Sequence, residues 1–178
     1  MEGVVELEGI DPGLLRSYTN ASGSRSGVLG RIRLSSRDVK HLEFLIRHRD
    51  LPFELFNVTH RRPRDVVRFF LAADDRLPDL LLLALSNVFA DADLTGKQMA
   101  AFAAFVNEML KIFFFRHLPK QRRPPPLTGD DLIRQFGLKP SPRFREILDI
   151  INEERLVRSH LTRAQALKLV GEYLARRR

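Results

Sequence analysis

Apolar residues recur at intervals of three and four along most of the chain, which is the spacing of an amphipathic α-helix. One such helix is predicted to begin after Ser35 or Ser36, which are good N-cap residues, and to end near His48. Alternating, strand-like patterns are short and weak, and they are confined to residues 4–7 and 28–34. The pattern therefore predicts an all-α fold.

Helix-start signals divide the rest of the chain into further helices. Proline is tolerated in the first turn of a helix, and Thr followed three residues later by an acid or amide forms a capping box. These signals place helix starts at Pro63, Pro78, Thr95, Thr128, Pro142 and Thr162. Residues 80–85 are apolar nearly all round, so their helix is expected in the centre of the core. Pro52 is expected to interrupt the first helix, and the helix after Thr95 is expected to run to about Leu118.

Composition divides the chain into four predicted segments. Residues 1–30 are expected to be a flexible or poorly defined N-terminal segment, because Gly, Ser and other polar residues dominate its second half. Residues 31–118 are predicted to form a helical body domain. Residues 119–127 (PKQRRPPPL) read as a basic, Pro-rich connector that the prolines hold extended. Residues 128–178 are predicted to form a small, basic helical tail domain.

Positive charge is concentrated in the last third of the chain. The whole chain has a net charge of +8, and residues 119–178 alone hold fourteen Lys or Arg and seven Asp or Glu, a net of +7. A local excess of this size attracts a polyanion, and the prevalence of Arg suits forked contacts with phosphates. The charge distribution therefore favours a nucleic-acid partner.

No set of side chains suggests catalysis or metal binding. The chain has no cysteine, and its five histidines are scattered, without the spacing of metal ligands. Asp91 and Asp93 resemble a pair of metal-binding carboxylates but fall in a predicted turn without a third acid or a phosphate loop. We therefore predict no catalytic residue and no metal ligand. With no export signal and no apolar run long enough to span a bilayer, we expect a cytoplasmic protein without a membrane partner.

Residues 127–148 (LTGDDLIRQFGLKPSPRFREIL) resemble the tail of the bacterial tRNA nucleotidyltransferase and poly(A) polymerase family, in its HD-associated branch. The family pattern L-T-G-x-D-L, then G-L-x-P-G-P, then T-R-x-x-A-L is matched here by residues 127–132, 137–142 and 162–167. Two positions depart from it, since Ser141 and Arg145 stand where the family has glycine. The resemblance extends more loosely over about residues 28–174.

The resemblance implies a body-and-tail fragment of such an enzyme, which positions tRNA or another structured RNA. The family's catalytic head, with its triphosphate loop and paired metal-binding aspartates, has no counterpart in this sequence. Mg²⁺ and nucleoside triphosphates would belong to that head, so we expect no cofactor in this chain and no catalysis by the chain alone. A catalytic head domain is an expected partner.

Ten residues of the last third are predicted to contact RNA. Helix starts offer unpaired amide groups to phosphates, and the start at Ser141 is flanked by basic residues. The predicted RNA-binding residues are Lys120, Arg122, Arg123, Lys139, Ser141, Arg143, Arg145, Arg155, Arg158 and Arg163. The segment from Ser141 to Arg145 is expected to be the main contact.

A second interpretation is a helical module for protein–protein interaction or homodimerisation, with no role in RNA binding. The helix after Thr95 has more apolar side chains than one core-facing stripe uses, and the surplus would form an exposed patch. The residues that suggest this patch are Phe102, Phe105, Phe113, Phe114 and Phe115.

Overall fold

A computed structural model describes residues 35–139, 141–158 and 160–176 of the chain. This part of the chain is helical and contains no strand, so the predicted all-α fold is confirmed. The predicted N-terminal segment and both strand candidates lie outside the described residues.

Capping residues set most of the helix boundaries. The helices are α1 (Ser36–His48), α2 (Leu51–Phe56), α3 (Pro63–Ala73), α4 (Leu77–Ala90), α5 (Gly96–Ile112), α6 (Leu118–Gln121), α7 (Gly129–Phe136), α8 (Pro142–Val157) and α9 (Arg163–Ala175). Each predicted helix start is confirmed to within one residue. The Ser35 hydroxyl accepts from the Asp38 amide, and reciprocal capping boxes begin α5, α7 and α9. Pro52 was expected to interrupt the first helix. It lies instead in the first turn of α2, where a backbone N–H would have no partner within the helix, so its absence costs nothing.

The chain was predicted to be extended from Pro119 onward, and this prediction is wrong for the first residues of that segment. A π-helical turn, Phe113–His117, follows α5, and α6 then carries the helix on to Gln121. Inside a regular α-helix the Pro119 ring would clash with the carbonyl group four residues earlier. The wider turn precedes the proline, which then lies in the first turn of α6. The first three residues of the predicted connector are therefore helical.

The described residues divide into two compact units, of which the first comprises residues 35–61 and Phe69–Lys111. Helix α4 supplies much of its core, as its apolar sequence predicts. The buried residues of α4 are Leu77, Leu80, Leu81, Ala84 and Val88. Leu82 and Phe89 of the same helix are more than half exposed, so one face of α4 remains at the surface.

Aromatic packing joins α2 to α5 within the first unit. The Phe53 ring stacks on the Phe102 ring at a centroid distance of 5.0 Å, and Phe56 meets the Phe105 ring edge-on at 5.3 Å. The Arg61 guanidinium lies 4.9 Å from the centroid of Phe105 and covers this cluster. Phe102 and Phe105 are thus core residues, and so is Phe113. The apolar patch predicted on this helix is reduced to Phe114 and Phe115.

The second unit comprises Arg62–Arg68 and Ile112–Arg178. Helices α7, α8 and α9 pack around a small apolar core, to which each contributes. The core residues are Leu127, Leu132, Ile147, Ile151, Leu161, Ala166 and Val170. Leu127, Leu132, Ile147 and Ala166 belong to residues 127–148 and 162–167, whose motif the sequence singles out. The apolar positions of the motif therefore have a structural role, which is to hold the three helices together.

Two glycines of the second unit lie where a side chain would be costly. Gly137 ends α7 with a left-handed φ of 64°, and its N–H donates to the Ile133 carbonyl at 3.0 Å. Gly129, in the first turn of α7, faces the ring of Phe144, which a Cβ atom would approach to 3.2 Å. Both glycines of the motif thus serve turn geometry or close packing between α7 and α8.

The continuous helical stretch Gly96–Gln121 is 26 residues long and has a window of mean hydropathy 1.3. By length and composition it is sufficient to cross a membrane, and 28% of that window is buried inside the protein. Core helices of soluble proteins meet the same two criteria. The absence of a membrane partner therefore stays a prediction.

Candidate nucleic-acid interface

Half of the eight acidic side chains of the second unit are paired with arginines. Glu154 of α8, whose side chain is buried, contacts both Arg64 of α3 and Arg158. The neighbouring Glu153 accepts from the Nε of Arg68 at 3.0 Å and lies 3.4 Å from the Nε of Arg64. Arg158, a predicted RNA-binding residue, is thus part of an internal ion-pair network. These contacts engage two glutamates and three arginines, so they occupy cations of the unit as well as acids.

Arg163 is a second predicted RNA contact that the fold itself uses. Its guanidinium pairs with the Asp131 carboxylate, which also accepts from the Thr128 amide at 2.8 Å. The Arg163 guanidinium and the Thr128 amide together hold the pKa of the Asp131 carboxyl well below its usual range. The contact links the start of α7 to the start of α9. Asp131 thus binds both Thr128 and Arg163, and all three side chains serve the fold of the unit.

We expect the Asp131→Asn substitution to destabilise the protein at neutral pH but not in acid. Because the pKa of Asp131 is lowered by folding, its contribution is complete above the unfolded pKa of about 4 and is lost as pH falls below it. Thermal unfolding at several pH values between about 7 and 2 should show that the melting temperatures of wild type and variant converge as the pH falls. Asp130→Asn is the control, since Asp130 makes no ion pair among the described residues. A difference that stays constant with pH would contradict this assignment.

The start of α8 offers fewer amide groups to an anion than the sequence suggests. The Phe144 amide donates to the Ser141 hydroxyl at 3.3 Å and to its carbonyl at 3.0 Å, and the Arg145 amide donates to the same carbonyl. Pro142 has no N–H. Ser141 is thus a helix cap, and a phosphate at this end of α8 would be bound mainly by basic side chains, such as Arg143 and Arg145.

Lys120 and Arg155 join the ends of α6 and α8. The Lys120 ammonium donates to the Leu156 and Arg158 carbonyls, both at 3.0 Å, and the Arg155 guanidinium donates to the Arg123 carbonyl. These acceptors are helix-end carbonyls, which carry partial negative charge. Burial lowers the pKa of Lys120, and the nearby positive charges of Arg123 and Arg116 lower it further. Several cations are therefore held close together.

These cations line a cleft of about 300 Å³ within the second unit. Its polar lining consists of Lys120, Arg123, Arg155 and His160, and no carboxylate is among its lining residues. The sequence indicated the three basic residues but not His160, because the contact depends on folding rather than on a local pattern. Three predicted RNA-binding residues are thereby brought to one place.

Other basic side chains of the second unit lie exposed and without an ion pair among the described residues. Five were predicted as RNA contacts: Arg122, Arg123, Lys139, Arg143 and Arg145. Arg143 also lies 6.0 Å from the centroid of the Tyr173 ring. Arg116, Arg134, Lys168 and Arg176 have the same exposed character but were not predicted. Arg134 and Lys168 stand apart from other cations in the sequence, so net charge was their only signal, whereas Arg176 begins a run of three arginines.

Comparisons of the chain with protein-family models, with curated proteins and with solved structures found no match. Among the described residues, no group of three or more His, Asp or Glu is placed to hold a metal ion. The interface is therefore characterised by its charges and its geometry alone.

Proposed function

We propose that the second unit binds structured RNA through its phosphates and positions it without catalysing a reaction on it. The observation that carries the proposal is the imbalance of exposed charge. Four of the eight acidic side chains of the unit are paired with arginines, whereas nine exposed Lys and Arg have no ion pair among the described residues. The exposed cations without an ion pair therefore outnumber the other four acids of the unit, all of them exposed, which are Asp130, Glu146, Asp149 and Glu172.

Exposed cations of this kind fit a folded RNA. Proteins grip duplex RNA through its phosphates and its shape, because side chains do not reach the base edges in its deep, narrow groove. Each phosphate that a Lys or Arg neutralises releases a condensed counterion, which drives binding. Arg134, Arg143 and Arg145 project from helices, whose regular spacing suits a partner with phosphates at fixed positions.

Residues 127–148 and 162–167 resemble the tRNA nucleotidyltransferase family, and for this reason we propose tRNA, among structured RNAs, as the partner. Their apolar and capping positions form the core and the turns of the second unit, which supports a shared way of folding. The positions of exposed cations are less constrained by folding. The proposal of tRNA as the partner therefore rests on the resemblance, and that of phosphate binding rests on the charges.

Titration of the full chain with a labelled tRNA at two salt concentrations tests the proposal. We expect measurable binding at about 50 mM salt and a loss of roughly two to four orders of magnitude in affinity at about 200 mM, as for four or more phosphate contacts. No binding at low salt, or binding that salt does not weaken, would contradict phosphate recognition.

A second candidate function is self-association, which the exposed phenylalanines of the π-helical turn favour. The side chains of Phe114 and Phe115 are 48% and 79% exposed, which is unusual for a large apolar residue. The partner would be a second copy of the chain. Light scattering at several protein concentrations separates the two functions: a monomer that binds tRNA excludes the dimer, and a dimer without affinity for tRNA excludes RNA binding.

A further inference from the structure

We infer that the cleft lined by Lys120, Arg123, Arg155 and His160 is a pocket for a single phosphate monoester at the end of an RNA strand. This inference rests on the proposed RNA binding and adds a specific site to it. It differs from a general attraction to phosphates, because it predicts a preference for one chemical group at one position.

The cleft has spare hydrogen-bond donors beside the bonds that hold it together. Lys120 has three N–H donors and uses two of them on carbonyl groups. The Nε–H of Arg155 is buried and has no hydrogen-bond partner, although the Nη1 and Nη2 atoms of this residue both do. Because this Nε–H is closed to solvent, an anion would reach it only if the Arg155 side chain moved, so the open donors of the cleft carry the site. The Arg123 guanidinium and the His160 ring, both exposed, complete the donor set.

Charge favours a monoester over a phosphodiester. A terminal phosphate carries about 1.5 to 2 negative charges at neutral pH, whereas each phosphate within a strand carries one. Two arginines and a lysine line the cleft, and Arg116 lies close enough to lower the pKa of Lys120. The anion of higher charge reduces the repulsion among these positive charges most.

Size and shape favour a strand end over a continuous strand. A volume of about 300 Å³ is at the lower limit of small-molecule sites and is enough for a phosphate with one nucleoside. Pro124, Pro126 and Leu161 form an apolar wall on which a ribose can pack. His160 offers a flat ring for stacking with a base.

The test compares two RNA hairpins of one sequence, with and without a terminal phosphate, on the full chain. We expect the phosphorylated hairpin to bind about tenfold more tightly, as for one or two charge-assisted hydrogen bonds. Arg123→Ala should abolish this preference. Arg134→Ala is the matched control, since Arg134 is an exposed arginine of the same unit outside the cleft, and it should leave the preference unchanged. Fluorescence anisotropy measures all six affinities.

The outcomes separate the pocket from the general function. Equal binding of both hairpins, or a preference that survives Arg123→Ala, would overturn the pocket while leaving RNA binding intact. Failure of both hairpins to bind would overturn RNA binding itself. Competition by 5′-AMP identifies the source of the phosphate: displacement of the phosphorylated hairpin at micromolar 5′-AMP would assign the pocket to a free nucleotide instead. Displacement only at millimolar concentrations supports a strand end.

Discussion

Replacement of Leu132 by Ala is expected to destabilise the second unit by about 2–5 kcal/mol, the cost of a cavity at a fully buried leucine. Leu132 is completely buried and belongs to the core that α7, α8 and α9 share. Because the unit is small, neighbouring side chains have little freedom to fill the space. Chemical denaturation followed by far-UV circular dichroism measures the loss. We also expect the variant to bind RNA more weakly, since its cations would no longer be held in fixed positions.

The adjacent Ile133 provides the control for this prediction. Its side chain is 44% exposed, so Ile133→Ala removes apolar atoms from the same helix without opening a cavity in the core. We expect a cost of less than about 1 kcal/mol for it. If the two substitutions destabilised the protein equally, the assignment of Leu132 to the core of the second unit would be wrong.

The helix boundaries were predictable because the contacts that set them are local. Thr128 and Asp131 are three residues apart and form their capping box within one turn. Gly137 ends the same helix through a backbone conformation that its own residue type permits. Signals of this kind need no knowledge of the rest of the fold.

The connector shows where local signals were insufficient. Three consecutive prolines and two arginines predicted an extended segment from Pro119 onward, yet the helix continues to Gln121. The difference originates in the π-helical turn at residues 113–117, upstream of the proline. Its residues, three phenylalanines followed by Arg and His, give no sequence signal for a wide turn.

The roles of individual cations could not be predicted, because they depend on contacts between distant parts of the chain. Lys120 reaches the Leu156 carbonyl, 36 residues away, and Arg163 reaches Asp131, 32 residues away. A sequence pattern shows that Lys or Arg is present but not whether an acid or a carbonyl group already holds it. Three of the ten predicted RNA contacts are engaged in this way: Lys120, Arg155 and Arg163. Arg158 is also engaged, but its partner Glu154 is only four residues earlier.

The second large effect is expected from the exposed cations around the start of α8. Replacing Lys139, Arg143 and Arg145 by Ala removes three side chains without an ion pair among the described residues. If each contacts a phosphate, the slope of log affinity against log salt should decrease by about 2–3. At about 50 mM salt we expect an affinity at least tenfold lower. Circular dichroism should show an unchanged fold, because these side chains lie at the surface.

The most direct test of RNA binding by the second unit compares this triple variant with a triple variant of the first unit that loses the same charge. Lys40, Arg47 and Lys97 are exposed and also lack an ion pair among the described residues, and their replacement by Ala likewise lowers the net charge from +8 to +5. Titration of the same labelled tRNA under identical conditions should show a loss of about tenfold or more in the second-unit variant and less than about threefold in the first-unit variant. Equal losses, or a larger loss in the first-unit variant, would contradict the claim that the second unit is the RNA-binding surface.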